Sequence, residues 1–111
     1  MECSPPPAVV DKAVLAARVA AVRDAVARIR SVLPADRNAF LADRTVREIV
    51  ILNLFVALQD TLSLATHWLA DEGVAVPQSY REVFTELGDR GVVPRDLADR
   101  LAAASGLRNL A

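Results

Sequence analysis

Thr45-Val46-Arg47-Glu48-Ile49-Val50-Ile51-Leu52-Asn53-Leu54-Phe55-Val56-Ala57-Leu58, continued by Gln59 to Glu72, is the stretch that decides the fold. A Thr followed three residues on by Glu is a capping-box pattern, which predicts a helix starting at Thr45. From Ile49 to Leu58 the only polar side chain is Asn53. A helix apolar on most sides contacts other protein on most sides, so this one is expected at the centre. Asn53, Asp60 and His67 recur at intervals of seven, nearly in line down one edge, with Gln59, Ser63 and Thr66 beside them. That edge is a polar seam on an otherwise apolar rod.

Upstream, Leu15, Val19, Val22, Val26, Ile29 and Leu33 alternate spacings of four and three, predicting a long amphipathic helix that Pro34 ends. Asp36 is placed to cap a short helical piece carrying Phe40 and Leu41. Downstream, Gly73 suits the left-handed position past a helix C-terminus, and Val74-Ala75-Val76-Pro77 reads as extended linker. Ser79 and Glu82 form a second capping box, with Tyr80, Val83, Phe84 and Leu87 as the inner face of a short helix ended by Gly88 or Gly91. Pro94 is placed for the first turn of another helix, with Leu97, Ala98, Leu101 and Ala102 inward. Nothing alternates with period two for long enough to make a strand, so the class is all-α.

Within 111 residues one domain is expected, here residues 9–111 behind a Pro-rich tail over residues 1–8. Asn53 and then Gln59-Asp60-Thr61 interrupt the longest apolar run short of the roughly 18 residues of a membrane span, so no membrane association is expected. The N-terminus has neither the basic flank nor the apolar core of a signal peptide, and Cys3 is the only cysteine, which points to the cytoplasm. His67, the only histidine, lacks a cysteine partner and makes a poor zinc site, so no metal and no cofactor are expected. It reads as a seam or interface histidine, and Trp68 and Phe55 as core or interface anchors.

A net charge of −1 argues against indiscriminate nucleic-acid binding, yet the charge is unevenly spread. Lys12 to Arg47 holds eight basic and three acidic residues; Glu48 to Asp99 holds three basic and nine acidic. The first third is thus a candidate phosphate-facing or acid-facing surface. Twelve of the thirteen basic residues are Arg, whose planar fork suits bidentate phosphate contacts. A preference for Arg codons and plain solvation account for the same pattern.

Two long helices and two short ones leave the central rod short of cover. After Gly106, Leu107-Arg108-Asn109-Leu110-Ala111 reads as the first turn of a further helix, broken off as it begins. Either a second subunit supplies the missing packing or the native product continues.

The order of these pieces resembles the HepT-like branch of the HEPN superfamily. The resemblance is carried by Phe40-Leu41-Ala42-Asp43-Arg44-Thr45, by Asn53-Leu54 with Gln59 and Asp60, by Pro77-Gln78-Ser79-Tyr80-Arg81-Glu82-Val83-Phe84, by Gly91-Val92-Val93 and by Gly106-Leu107-Arg108-Asn109. It implies an up-and-down helical bundle that forms a homodimer and acts as the toxin of a toxin–antitoxin pair, a metal-independent ribonuclease acting on RNA. It also implies a partner: a nucleotidyltransferase of the MNT type, the antitoxin, which adds AMP to a tyrosine of the toxin. The family's signature is Arg, usually with Asn directly after it, then four to six residues, then His, with Tyr shortly after the His. Arg108 and Asn109 match its first half and are the candidate catalytic residues; the His and Tyr are not among these 111 residues. Catalysis by the chain as it stands is accordingly expected to be weak or nil. By the same resemblance Asn53, Gln59 and Asp60 are candidates to line a dimer cleft or contact RNA, and His67 joins them from its place on the seam. The alternative is a non-catalytic helical binding module, or a partner subunit that docks a nucleotidyltransferase through its polar seam.

Overall fold

The computed structural model describes residues 12–110, with side chains through Leu107; the tail expected over residues 1–8 lies outside them. The elements are α1 (Lys12–Val32), α2 (Arg37–Ala42), α3 (Arg44–Asp71), α4 (Tyr80–Asp89), α5 (Arg95–Ala104) and a 3-10 turn, Ser105–Leu110. No strand occurs among the described residues. The all-α class and the order of helices are those expected.

The helix starts are chemically legible, with one correction. Asp43, not Thr45, caps α3: its carboxylate accepts from the Val46 N–H at 3.1 Å, and Glu48 pairs with Arg44 instead of reaching back. A carboxylate at that position meets both the free N–H groups and the positive end of the helix dipole. Asp36 caps α2 through Asn38, and Ser79 caps α4 through Glu82. Pro94 stands one residue earlier than expected, at the N-cap of α5. Gly73 and Gly91 take positive φ of 75° and 72°, where a side chain would be strained.

Helix α3, 28 residues and so about 42 Å long, is the hub. Helix α1 packs along one side of it, while α4, α5 and the 3-10 turn gather at its C-terminal half. There Leu58, Leu62, Ala65 and Leu69 meet Val83, Phe84, Leu87 and Ala102 in the core, joined at its edge by Trp68 and Leu107. Helices α4 and α5 approach closely at Gly88, where an added Cβ would stand 2.6 Å from that of Ala98. Above this contact Arg95 reaches back to Asp89, whose hydrogen bond holds the guanidinium pKa above its ordinary value.

Four expected inward residues point elsewhere: Leu15, Leu33, Tyr80 and Leu97 are exposed, because a helix buries only the part of its apolar stripe that a neighbour covers. On α1 the residue that is fully buried is Ala25, whose small side chain lets the two long helices approach.

The N-terminal half of α3 is bare where α4 and α5 do not reach: Ile51, Leu52, Leu54 and Val56 are all exposed, Leu52 to 62%. The expected shortage of cover is therefore real among the described residues. By length and composition α3 would also be apolar enough to cross a membrane, contrary to the reading of its interrupted run. In this fold α1, α2, α4 and the 3-10 turn pack on it, and its buried Asp60 pairs with a partly exposed arginine of α1.

Candidate functional site

The Arg108-Asn109 pair lies in the 3-10 turn that follows α5. Two contacts fix the base of that turn. The Ser105 hydroxyl, on a buried residue, donates to the Ala102 carbonyl at 2.6 Å, and Leu107 packs against the core under α4. The same carbonyl accepts a longer bond of 3.4 Å from Arg81 Nη1, which ties α4 to the end of α5. The 3-10 turn thus leaves the core in a direction set by packing.

Beside it opens a groove of about 320 Å³ lined by Gln78, Ser79, Tyr80, Arg81, Ser105 and Gly106. That is the lower end of the size range of small-molecule sites. One wall is the first turn of α4 and the other the start of the 3-10 turn, so a guanidinium, an amide, hydroxyls and backbone share one depression next to Arg108. Sequence reading singled out Gly106 to Asn109 but assigned no site role to Gln78, Tyr80 or Arg81. The signal was present, since Pro77 to Phe84 is one of the segments carrying the family resemblance; what was missing was the fold of α4 against α5.

The polar seam of α3 is divided. Asp60 is buried and its Oδ1 accepts from Arg18 Nη1 of α1 at 2.9 Å. His67 is exposed at the edge of the same helix pair, beside a crevice of about 10 Å³ shared with Val14, Leu15, Arg18, Ser63 and Leu64. Such a space holds no more than a water. Asn53 turns back on its own helix, donating from Nδ2 to the Ile49 carbonyl at 2.8 Å. Gln59 lies on a different stripe of α3, exposed among Leu52, Val56 and Ser63 at helical spacing. The structure therefore brings Asp60 and His67 together around Arg18, and leaves Asn53 and Gln59 apart from them and from the 3-10 turn. Among the described residues no three His, Cys, Asp or Glu side chains are grouped to hold a metal ion.

A long central helix, a flanking antiparallel helix and a short helical pair ending in a Gly-Leu-Arg-Asn turn make up the described fold, which matches that of HEPN toxin structures. The chain belongs to the family described as Ribonuclease HepT-like, whose pattern matches residues 22–111. It is 32% identical over 94 residues to a protein of Shewanella oneidensis named mRNA nuclease HepT, covering 85% of this chain and 70% of that one. Its structure is similar to that of the tri-AMPylated Shewanella oneidensis HEPN toxin in complex with MNT antitoxin, with a TM-score of 0.79 and 30% identity over 87% of this chain and 72% of the other. A toxin–antitoxin structure with AMP-PNP gives the same TM-score and identity over 87% of this chain and 73% of that one.

Proposed function

We propose that this chain is the toxin subunit of a toxin–antitoxin pair: a metal-independent endoribonuclease that cuts cytoplasmic RNA at a dimer interface and is neutralised by an MNT-type nucleotidyltransferase. The observation that carries the reading is that the family match runs through the Arg108-Asn109 turn, and that this turn is anchored by Leu107 and Ser105 beside an open polar groove.

The chemistry asks little of the protein beyond positioning. In a metal-free cut the RNA 2′-hydroxyl attacks the adjacent phosphate, one group takes a proton, another returns one to the leaving oxygen, and fixed positive donors hold the charged phosphorane. Arg108 is the phosphate clamp, with Asn109 to position it or to orient the proton-transfer group. A histidine suits both proton roles near neutrality. His67, the only histidine of the sequence, lies on α3 and not in the Arg108-Asn109 turn.

The apolar stripe of α3 supports self-association. Leu52 and Val56 share one stripe with Gln59, Ile51 and Leu54 lie farther round the helix, and all four apolar residues are exposed among the described residues. A second copy packed there buries them and sets two Arg-Asn turns in one assembly.

The test is cleavage of RNA by the protein as its gene encodes it, through to the natural stop codon, beside an Arg108→Ala variant and with or without the nucleotidyltransferase and ATP. Cleavage by the native protein, its loss in the variant and its suppression by the partner are expected. Equal cleavage or equal inactivity of the two proteins would leave a non-catalytic helical binding module as the better reading.

A further inference from the structure

Most arginines of this chain are spoken for. Arg18 pairs with Asp60, Arg28 with Asp24, Arg44 with Glu48, Arg90 with Glu86, Arg95 with Asp89 and Arg100 with Asp96, while Arg47 and Arg81 donate to backbone carbonyls. Among the described residues Arg23, Arg30 and Arg37 are the arginines with neither a hydrogen bond nor an ion pair, and all three are exposed.

They are not scattered. Arg23 and Arg30 stand seven residues apart on α1, on one face and roughly 10 Å from each other along the axis. Between and beside them Val22, Val26, Ala27 and Ser31 complete an open trough of about 580 Å³. Arg37, the third, is the first residue of α2. The acidic residues of the same region do not neutralise this face: Asp24 is engaged by Arg28, Asp36 by the Asn38 N–H and Asp43 by the Val46 N–H.

We propose that this α1 face is a phosphate-binding exosite that grips the backbone of RNA away from the cleavage corner. The proposal rests on the ribonuclease reading and extends it. Free guanidinium forks at a repeated spacing match a polymer whose charge recurs along its length, and Arg presents its donors in the plane a phosphate requires. The trough lacks the Trp, Tyr or Phe anchors that make up the core of a protein interface, and its apolar residues are two half-buried valines and an alanine.

Position fits the role. Helix α1 runs antiparallel to α3 from the Arg18–Asp60 contact, so Arg30, twelve residues on, lies roughly 18 Å beyond the level of Asp60 toward the N-terminus of α3. The 3-10 turn packs through Leu107 on the opposite, C-terminal half. A trinucleotide bound at the turn does not reach Arg30, whereas a longer strand does. The exosite therefore selects for length and adds to binding without touching the reacting phosphate.

The test is binding of a fluorescein-labelled 2′-O-methyl RNA of some twenty nucleotides, which lacks the attacking hydroxyl, by the full-length native protein and by an Arg23→Gln/Arg30→Gln variant over a salt series. Loss of two phosphate contacts to single-stranded RNA predicts a log K against log salt slope shallower by about 1.4, with affinity at low salt about tenfold weaker. Arg23→Lys/Arg30→Lys retains the slope, and cleavage of a trinucleotide substrate is the same in all three proteins. Equal affinity and slope in the native and glutamine proteins overturn the exosite while leaving the nuclease intact. So does a glutamine variant that binds RNA normally but no longer captures the nucleotidyltransferase, which would assign the face to that protein. A native protein that neither binds nor cleaves any RNA overturns the ribonuclease reading itself.

Discussion

Arg18 on α1 donates through Nη1 to Oδ1 of Asp60 on α3 at 2.9 Å, across a gap of 42 residues in sequence, and the carboxylate it meets is buried. A buried carboxylate without a partner is expensive, while the arginine end of this pair is 44% exposed and partly screened. Arg18→Ala is therefore expected to destabilise the fold by about 1–3 kcal/mol, less than loss of a fully buried pair costs. Asp60→Asn, which keeps the shape and removes the charge, costs less. Urea denaturation of both single variants and the double variant checks this: the double variant should fall short of the sum of the singles, and strict additivity would show that the two groups do not interact.

The cap of the central helix gives a sharper choice between two residues. Asp43 accepts from the Val46 N–H, and Thr45 has no capping bond. Asp43→Ala should cost about 1 kcal/mol and Thr45→Ala only a few tenths, measured by thermal or urea unfolding. The reverse order would restore the capping box that the Thr45 and Glu48 spacing suggests.

Gly88 sits where α4 meets α5. In an isolated helix Gly→Ala stabilises by about 1 kcal/mol, but here the new methyl stands 2.6 Å from the Ala98 Cβ and forces the helices apart. Overpacking of this kind costs about 1–3 kcal/mol, which outweighs the propensity gain. Gly88→Ala is thus expected to lower stability, and Ala98→Gly in the same protein to recover part of the loss. A stabilised Gly88→Ala variant would mean that α4 and α5 slide freely.

The exposed face of α3 predicts an effect on assembly with little on folding. Leu52 is 62% exposed, so Leu52→Glu removes little packing within the protomer, whereas Val56, at 37%, is still largely covered. Sedimentation or light scattering should show the native protein as a dimer and the variant as a monomer with an unchanged helical spectrum. A native protein that stays monomeric at high concentration would remove the proposed dimer face.

Local chemistry made much of the fold legible. Proline and glycine punctuation, the Asp36 and Ser79 caps and the 3.6-residue periodicity act over a few residues, so they can be read without knowing the rest of the chain. Where two local solutions compete, as Asp43 and Thr45 do at the start of α3, the one with the better reach to a free N–H wins, and spacing alone did not reveal which. Tyr80 and Leu97 were read as inward for a similar reason: periodicity identifies an apolar stripe but not how wide a part of it a neighbour covers.

The sequence by itself determined the helical class, the central place of the Thr45–Glu72 segment, the shortage of cover along it and the family to which its motifs belong, because these depend on residue identity and short-range order. Only the tertiary structure decided that Asp60 is held by Arg18, that the groove beside the 3-10 turn is walled by Gln78 and Arg81, and which arginines remain free. The first two are contacts between residues 20 or more positions apart, such as Arg81 with Ala102 and Arg18 with Asp60. They follow from the way helices pack, and no local rule contains them.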